Sequence, residues 1–340
     1  MTIHNGIVYK GINYDVGTNY MPGVMSRETW GLNLAKQDMG IIKKELNCNA
    51  VSIYGKDIHR LIECATVALE TDLHVWLQPR LVDAKQDDLL DYLSKVAQEA
   101  EQLRIQYGRV TFNVGCEYSI FASGIIPGKN FSQRVMMLTG TWWLIPLYSM
   151  KLNCFLKKVV STVREHFHGE ISYGAGAWES VDWSVFDLVG LNYYMDSSNA
   201  KNYVEELRKF HRYNKPVVIT EFGCCCFEGA AEKGGGGFRI INWNKTPPRL
   251  KAHYTRNESV QSEYISKLLR IFEQENIYGA FVFSYMEPTN LFNSDPLYDL
   301  DMASYGIVMA YPKDIDPSVP NAPIKPKKAF YEVAKHYSTS

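Results

Sequence analysis

A chain of 340 residues, 46% hydrophobic and 21% charged, has an ordinary globular make-up and is long enough to bury a full core. Its formal net charge of −1 carries no overall electrostatic footprint for nucleic acid or an anionic membrane. Its seven cysteines lack the pattern of a small-domain disulfide framework, and no basic segment followed by an apolar run opens the sequence, so the expectation is a reduced, cytoplasmic protein.

Apolar strand-like runs alternate with helical patterns from end to end, the signature of parallel βαβ units. In chain order the predicted elements are a strand over 11–16, a helix over 34–46, a strand over 50–54 and a helix over 57–70, with Asp57 as N-cap. A strand over 74–78 and a long amphipathic helix over 87–105 follow. The fourth strand is 110–115, followed by a long loop and a helix over 154–167. The remaining pattern gives strands at 171–174, 188–192, 217–220 and 280–285, with helices at 203–213, 260–274 and 327–337. Only a short connection, 181–186, separates the fifth and sixth strands. Eight strands without a Pro/Ser-rich linker or an internal sequence repeat predict an α/β fold, a (β/α)8 TIM barrel forming a single domain over 1–340.

Long loops follow strands 4, 7 and 8, on the face where such barrels place their chemistry. In the first of these, 135–150 carries no charge, lies between Arg134 and Lys151, and includes Trp142 and Trp143. It is short for a membrane span of about 20 residues and is interrupted by Gly140 and Pro146. The expectation is a buried or site-capping segment. The run of glycines at 234–237 has no Gly-Lys-Ser/Thr after it, which favours flexibility over a phosphate cradle.

Two carboxylates stand just past apolar strands: Glu117 after Val114-Gly115-Cys116, and Glu221 in Thr220-Glu221-Phe222-Gly223. Side chains at the C-terminal ends of strands 4 and 7 face one barrel mouth. A pair of carboxyls there can act as acid and nucleophile if their environments push the pKa values apart; a rim ion pair for each is the alternative. By position alone, Tyr14, Asp15, Tyr54, Arg80 and Trp178 are candidate substrate contacts at or past strands 1, 2, 3 and 5. Asp295, Asp299 and Asp301 follow strand 8 and can bind a ligand or cap turns. Cys224, Cys225 and Cys226 cannot easily face one tetrahedral metal, and His166 and His168 near a helix end complement its dipole, so no metal site is expected.

These motifs resemble the clan A glycoside hydrolases, barrels with an acid/base Glu after strand 4 and a nucleophile Glu after strand 7. The resemblance covers nearly the whole chain in layout but only short motifs in sequence. Thr220-Glu221-Phe222-Gly223 is similar to the T-E-x-G nucleophile motif, and Asn192 and Tyr194 resemble the strand 6 segment that supplies an aromatic hydroxyl to the nucleophile. The stretches 220–225 and 299–306 also resemble a poorly characterised branch labelled "abortive infection protein". Three positions depart from the clan pattern: Cys116 replaces the Asn before the acid/base, strand 2 lacks its Arg, and strand 8 ends Ser284-Tyr285-Met286-Glu287 in place of Trp. Tyr285, Glu287 and Asp301 join the candidate substrate-binding set there.

The resemblance implies a retaining O-glycosidase-like hydrolase, with Glu221 as nucleophile and Glu117 as acid/base. No cofactor is required. The expected partner is a small-molecule glycoside with an apolar portion beside the 135–150 segment; neither nucleic acid nor membrane is expected, and the oligomeric state stays open. Two alternatives remain: a lyase or cyclase using the same carboxylates on a non-sugar substrate, and a catalytically silent binding barrel.

Overall fold

The computed structural model describes residues 6–20, 23–311 and 324–339. The strands are β1 (Tyr9–Gly17), β2 (Ala50–Gly55), β3 (His74–Pro79), β4 (Val110–Cys116), β5 (Ile171–Gly176), β6 (Val189–Asn192), β7 (Val217–Phe222) and an eighth barrel strand, Gly279–Val282. They pair in parallel and in sequence order, and the eighth closes on β1 with Gly11 opposite Phe281. β2, β4, β5 and β7 are buried at every position, because helices cover their outer face and side chains fill the inner one. Trp76 and Phe281 pack with Ala50, Leu188 and Val218 near the N-terminal ends of the strands. Gly11 permits this floor: a Cβ there would lie 2.2 Å from the Phe281 ring. The barrel is therefore plugged below and open only at its C-terminal face.

The helices are α1 (Leu32–Lys44), α2 (Ile58–Glu70), α3 (Gln86–Tyr107), α4 (Tyr118–Phe121), α5 (Phe131–Gly140), α6 (Ile145–Arg164), α7 (Tyr203–Arg208), α8 (Glu258–Gln274) and α9 (Lys328–Thr339). Local chemistry sets their ends. Asp57 accepts from the Arg60 N–H at 2.9 Å and starts α2. Asp87 and Asp88 begin α3, Arg104 lies in its last turn, and Gly108 caps it in the left-handed conformation. Asn130 and Asn257 cap α5 and α8.

Two expectations change. The 135–150 segment is largely exposed, with Tyr148 and Ser149 buried, and it does not line the cavity. It is the body of α5, a 3-10 turn at Trp142–Leu144 and the start of α6. Gly140 ends α5 and Pro146 occupies the first turn of α6, where its missing N–H costs no hydrogen bond. The glycine run is ordered within a 3-10 helix, Gly234–Ile240. Its glycines serve close approach: a Cβ on Gly234 would lie 2.5 Å from the Met195 carbonyl, and one on Gly237 would lie 2.7 Å from the Cys225 sulfur.

Candidate active site

Glu117 follows the last residue of β4 at φ +46°, a left-handed conformation for an L-residue, and its N–H bonds the Gly174 carbonyl at 3.0 Å. The half-buried Glu179 braces the turn. It accepts from the Ser119 and Gly176 N–H groups, each at 3.0 Å, and from the Tyr173 hydroxyl at 2.9 Å. Tyr173 in turn accepts from the Tyr118 N–H at 2.6 Å. On the barrel side, Asn192 donates its Nδ2 to Glu117 Oε1 at 3.1 Å while its Oδ1 accepts from the Thr220 hydroxyl at 2.8 Å. The Thr220 bond fixes the amide so that its NH2 faces Glu117. Burial, and then the charge of Glu221, push the Glu117 carboxyl up to about 8, against the smaller opposing effect of the Asn192 bond.

Glu221 lies opposite Asn192 at a register shift between β6 and β7. Arg80, one residue past β3, places Nη2 2.6 Å from Glu221 Oε1, and the Tyr194 hydroxyl lies 3.4 Å from Oε2. Arg80 also donates to the Tyr20 hydroxyl at 2.6 Å and to Gln78 Oε1, and its guanidinium stacks 4.1 Å from the Tyr54 ring centroid. The cation paired with Glu221 thus comes from the end of strand 3.

Both carboxylates open into one cavity of about 370 Å³ at the barrel mouth. Asp15, Tyr54, Arg80, Tyr194 and Glu287 share its wall. Asp15 is held by the Gly17 N–H at 2.7 Å, and burial raises its pKa. Glu287 accepts from Asn290 at 2.9 Å and from the Tyr305 N–H at 3.1 Å, and burial pushes its carboxyl up to about 7. Asn192 stands behind Glu117 as its donor.

Four expected contacts lie elsewhere. Tyr14 and Tyr285 are fully buried and share Asp38, at 2.6 and 3.0 Å. Trp178 donates its indole N–H to the Ser119 hydroxyl at 2.9 Å, away from the cavity. Asp301 is buried between Arg256 at 2.6 Å and Lys327 at 2.9 Å. For Tyr14, Tyr285 and Trp178 a protein group already takes the polar atom that position alone offered to a ligand, and the Asp301 carboxylate is held by two cations through Oδ2. Asp295 caps a turn through the Leu297 N–H, and Asp299 pairs with Arg256 at 2.9 Å. The Cys224, Cys225 and Cys226 thiols meet backbone carbonyls, and among the described residues no group of three His, Cys, Asp or Glu side chains could hold a metal.

Sequence reasoning missed the aromatic wall. Phe121, Phe131, Phe238, Trp243 and Phe283 line the cavity, whereas Trp142 and Trp143 do not. Trp243 carried a usable signal: a lone indole between two asparagines in the loop after strand 7. Phe121 and Phe131 offered none, because their ring stack, with centroids 5.0 Å apart, depends on the turn between α4 and α5.

The closed eight-stranded barrel is shared with solved glycoside hydrolases. A GH113 β-1,4-mannanase shares the fold at a TM-score of 0.62 and 14% identity, over 98% of this chain and 100% of that one. A GH113 β-mannanase from Alicyclobacillus acidocaldarius matches at 0.62 and 15% identity, over 99% of each chain. A glycoside hydrolase family 5 enzyme from Prevotella bryantii B14 matches at 0.54 and 10%, over 97% of this chain and 96% of that one. No family model and no curated protein matches the sequence.

Proposed function

We propose that this barrel is a retaining glycoside hydrolase. Glu221 Oε2 attacks the anomeric carbon as the bond to the leaving oxygen breaks, and Glu117 passes its proton to that oxygen. Glu117, now ionised, takes a proton from water; the resulting hydroxide bonds to the anomeric carbon, and Glu221 leaves as carboxylate. The observation that carries this reading is the divided environment of the two acids. Burial keeps the proton on Glu117 near neutral pH, while Glu221 is paired with Arg80 at 2.6 Å.

The proposed substrate is a small glycoside with an apolar or aryl aglycone. Phe121, Phe131, Phe238 and Trp243 provide the apolar wall, a role first assigned to the 135–150 segment. The mannanase neighbours make β-mannosides the first sugars to try. A 2-deoxy-2-fluoroglycoside with a good leaving group is expected to label Glu221, read by peptide mass spectrometry, and NMR of early product is expected to show retained configuration. Inverted product, or labelling elsewhere, overturns the mechanism. Turnover of a non-sugar substrate by the same carboxylates would favour the lyase or cyclase alternative.

A further inference from the structure

The near-zero charge of the whole chain conceals a local asymmetry. Between Glu117 and Glu165 there is no acidic residue, while Lys129, Arg134, Lys151, Lys157, Lys158 and Arg164 all lie in that run. Arg134, Arg164 and Lys157 are paired with Asp83, Asp187 and Asp182. Lys129, Lys151 and Lys158 are exposed.

The same run places its apolar side chains in solvent. Six of the twelve exposed large hydrophobic residues among the described ones fall within 136–150. Trp142 and Trp143 are 67% and 60% exposed at the crest between α5 and α6, and Met136 and Met150 flank them at 64% and 57%. The two indoles meet edge to face, with centroids 6.3 Å apart. Leu147, Lys151 and Lys158 follow helical spacing down one exposed stripe of α6, so the lysines sit one to three turns below the apolar crest.

We propose that this crest docks on an anionic lipid bilayer, with Trp142 and Trp143 in the headgroup layer and Lys151 and Lys158 against lipid phosphates. Indoles prefer that layer, and cationic side chains beside an apolar face add attraction to anionic lipid. No helix among the described residues is long and apolar enough to cross a membrane, and the docking proposed is peripheral. A second copy of the chain fits the surface less well. Pairing two identical crests about a two-fold axis would bring lysines toward lysines, with no acidic residue in either run to meet them. Phe131 and Ser132 of α5 also line the cavity, so docking holds its mouth beside the bilayer.

Co-sedimentation with vesicles made of equal parts phosphatidylglycerol and phosphatidylcholine tests the proposal. Binding with a blue shift of tryptophan emission is expected, weakening as salt screens the lipid charge. The Trp142→Ser/Trp143→Ser variant is expected to lose both signals. Lys151→Ala/Lys158→Ala is expected to bind about 25-fold more weakly, at about five-fold per lysine. Both pairs are exposed, and the lysine variant keeps the test valid if the tryptophan variant fails to fold. Three results would each overturn the proposal: no binding to the mixed vesicles, equal binding by wild type and both variants, or a dimer in sedimentation equilibrium that the tryptophan substitutions split without any vesicle binding by wild type.

Discussion

Arg80 Nη2 lies 2.6 Å from Glu221 Oε1, and the two side chains are only 4% and 8% exposed. Removing one partner of such a pair leaves a buried charge uncompensated, at a cost of about 3–5 kcal/mol. Arg80→Met is therefore expected to lower Tm by roughly 4–7 °C at neutral pH, read by thermal melting. Arg80→Lys keeps the charge but not the fork that also reaches Gln78 and Tyr20, and its Tm should fall between the two. An unchanged melt in the Met variant would show that the pair contributes nothing net.

Glu221→Gln is expected to abolish turnover, because an amide is a poor nucleophile. Glu117→Ala should lose about 10²–10⁴-fold on glycosides with poor leaving groups and much less on activated aryl glycosides, which need little acid help. Azide should restore the Glu117→Ala rate on activated substrates and give a glycosyl azide of retained configuration. Normal rates in both variants would remove the mechanism.

In the proposed mechanism the proton on Glu117 sets the alkaline limit. With its carboxyl pushed up to about 8, kcat/KM should fall as pH rises through that value. The Asn192 bond favours the ionised form, so Asn192→Ala should move this limb to higher pH and lower the maximum rate. A limb that stays in place would mean that Asn192 does not set the proton affinity.

The same shift affects stability. The folded-state pKa is raised, so Glu117's contribution is fully present below its unfolded value of 4.5 and is lost as pH climbs through about 8. Glu117→Gln should melt above wild type near pH 8 by at least ~1–2 °C, the shift that about 1 kcal/mol produces in a chain of this length. That gain should vanish near pH 4. Parallel Tm profiles for the two proteins would contradict the raised pKa.

Tyr285 separates packing from substrate contact. Its hydroxyl donates to Asp38 and it is fully buried, so Tyr285→Phe should cost about 1–3 kcal/mol in denaturant melts and leave KM unchanged. A raised KM at unchanged stability would return this residue to the ligand.

The barrel was legible because its strands are buried on both faces and read as apolar runs, and because Asp57 starts a helix by local chemistry. Glu117 and Glu221 were legible from their place just past strand ends. Tyr14 and Tyr285 misled because position along a strand does not reveal a partner: Asp38, on α1, claims both hydroxyls. Arg80 was legible only as a candidate substrate contact, because its hold on Glu221 depends on side chains that converge from β3 and β7 across the barrel. The Trp142–Trp143 pair misled for the opposite reason. An uncharged run looks buried in one dimension, and only the turn between two helices turns it outward.

The left-handed backbone at Glu117 bears on any attempt to improve this protein by selection. A glutamate held there carries a penalty of roughly 1–2 kcal/mol that glycine does not pay, and asparagine tolerates the conformation better than glutamate does. Burial of its carboxyl adds a second penalty. A library screened only for heat resistance would therefore tend to enrich Glu117→Gly or Glu117→Asn and discard the proposed proton donor, so thermostabilised descendants should be sequenced at this position before their loss of turnover is blamed on rigidity.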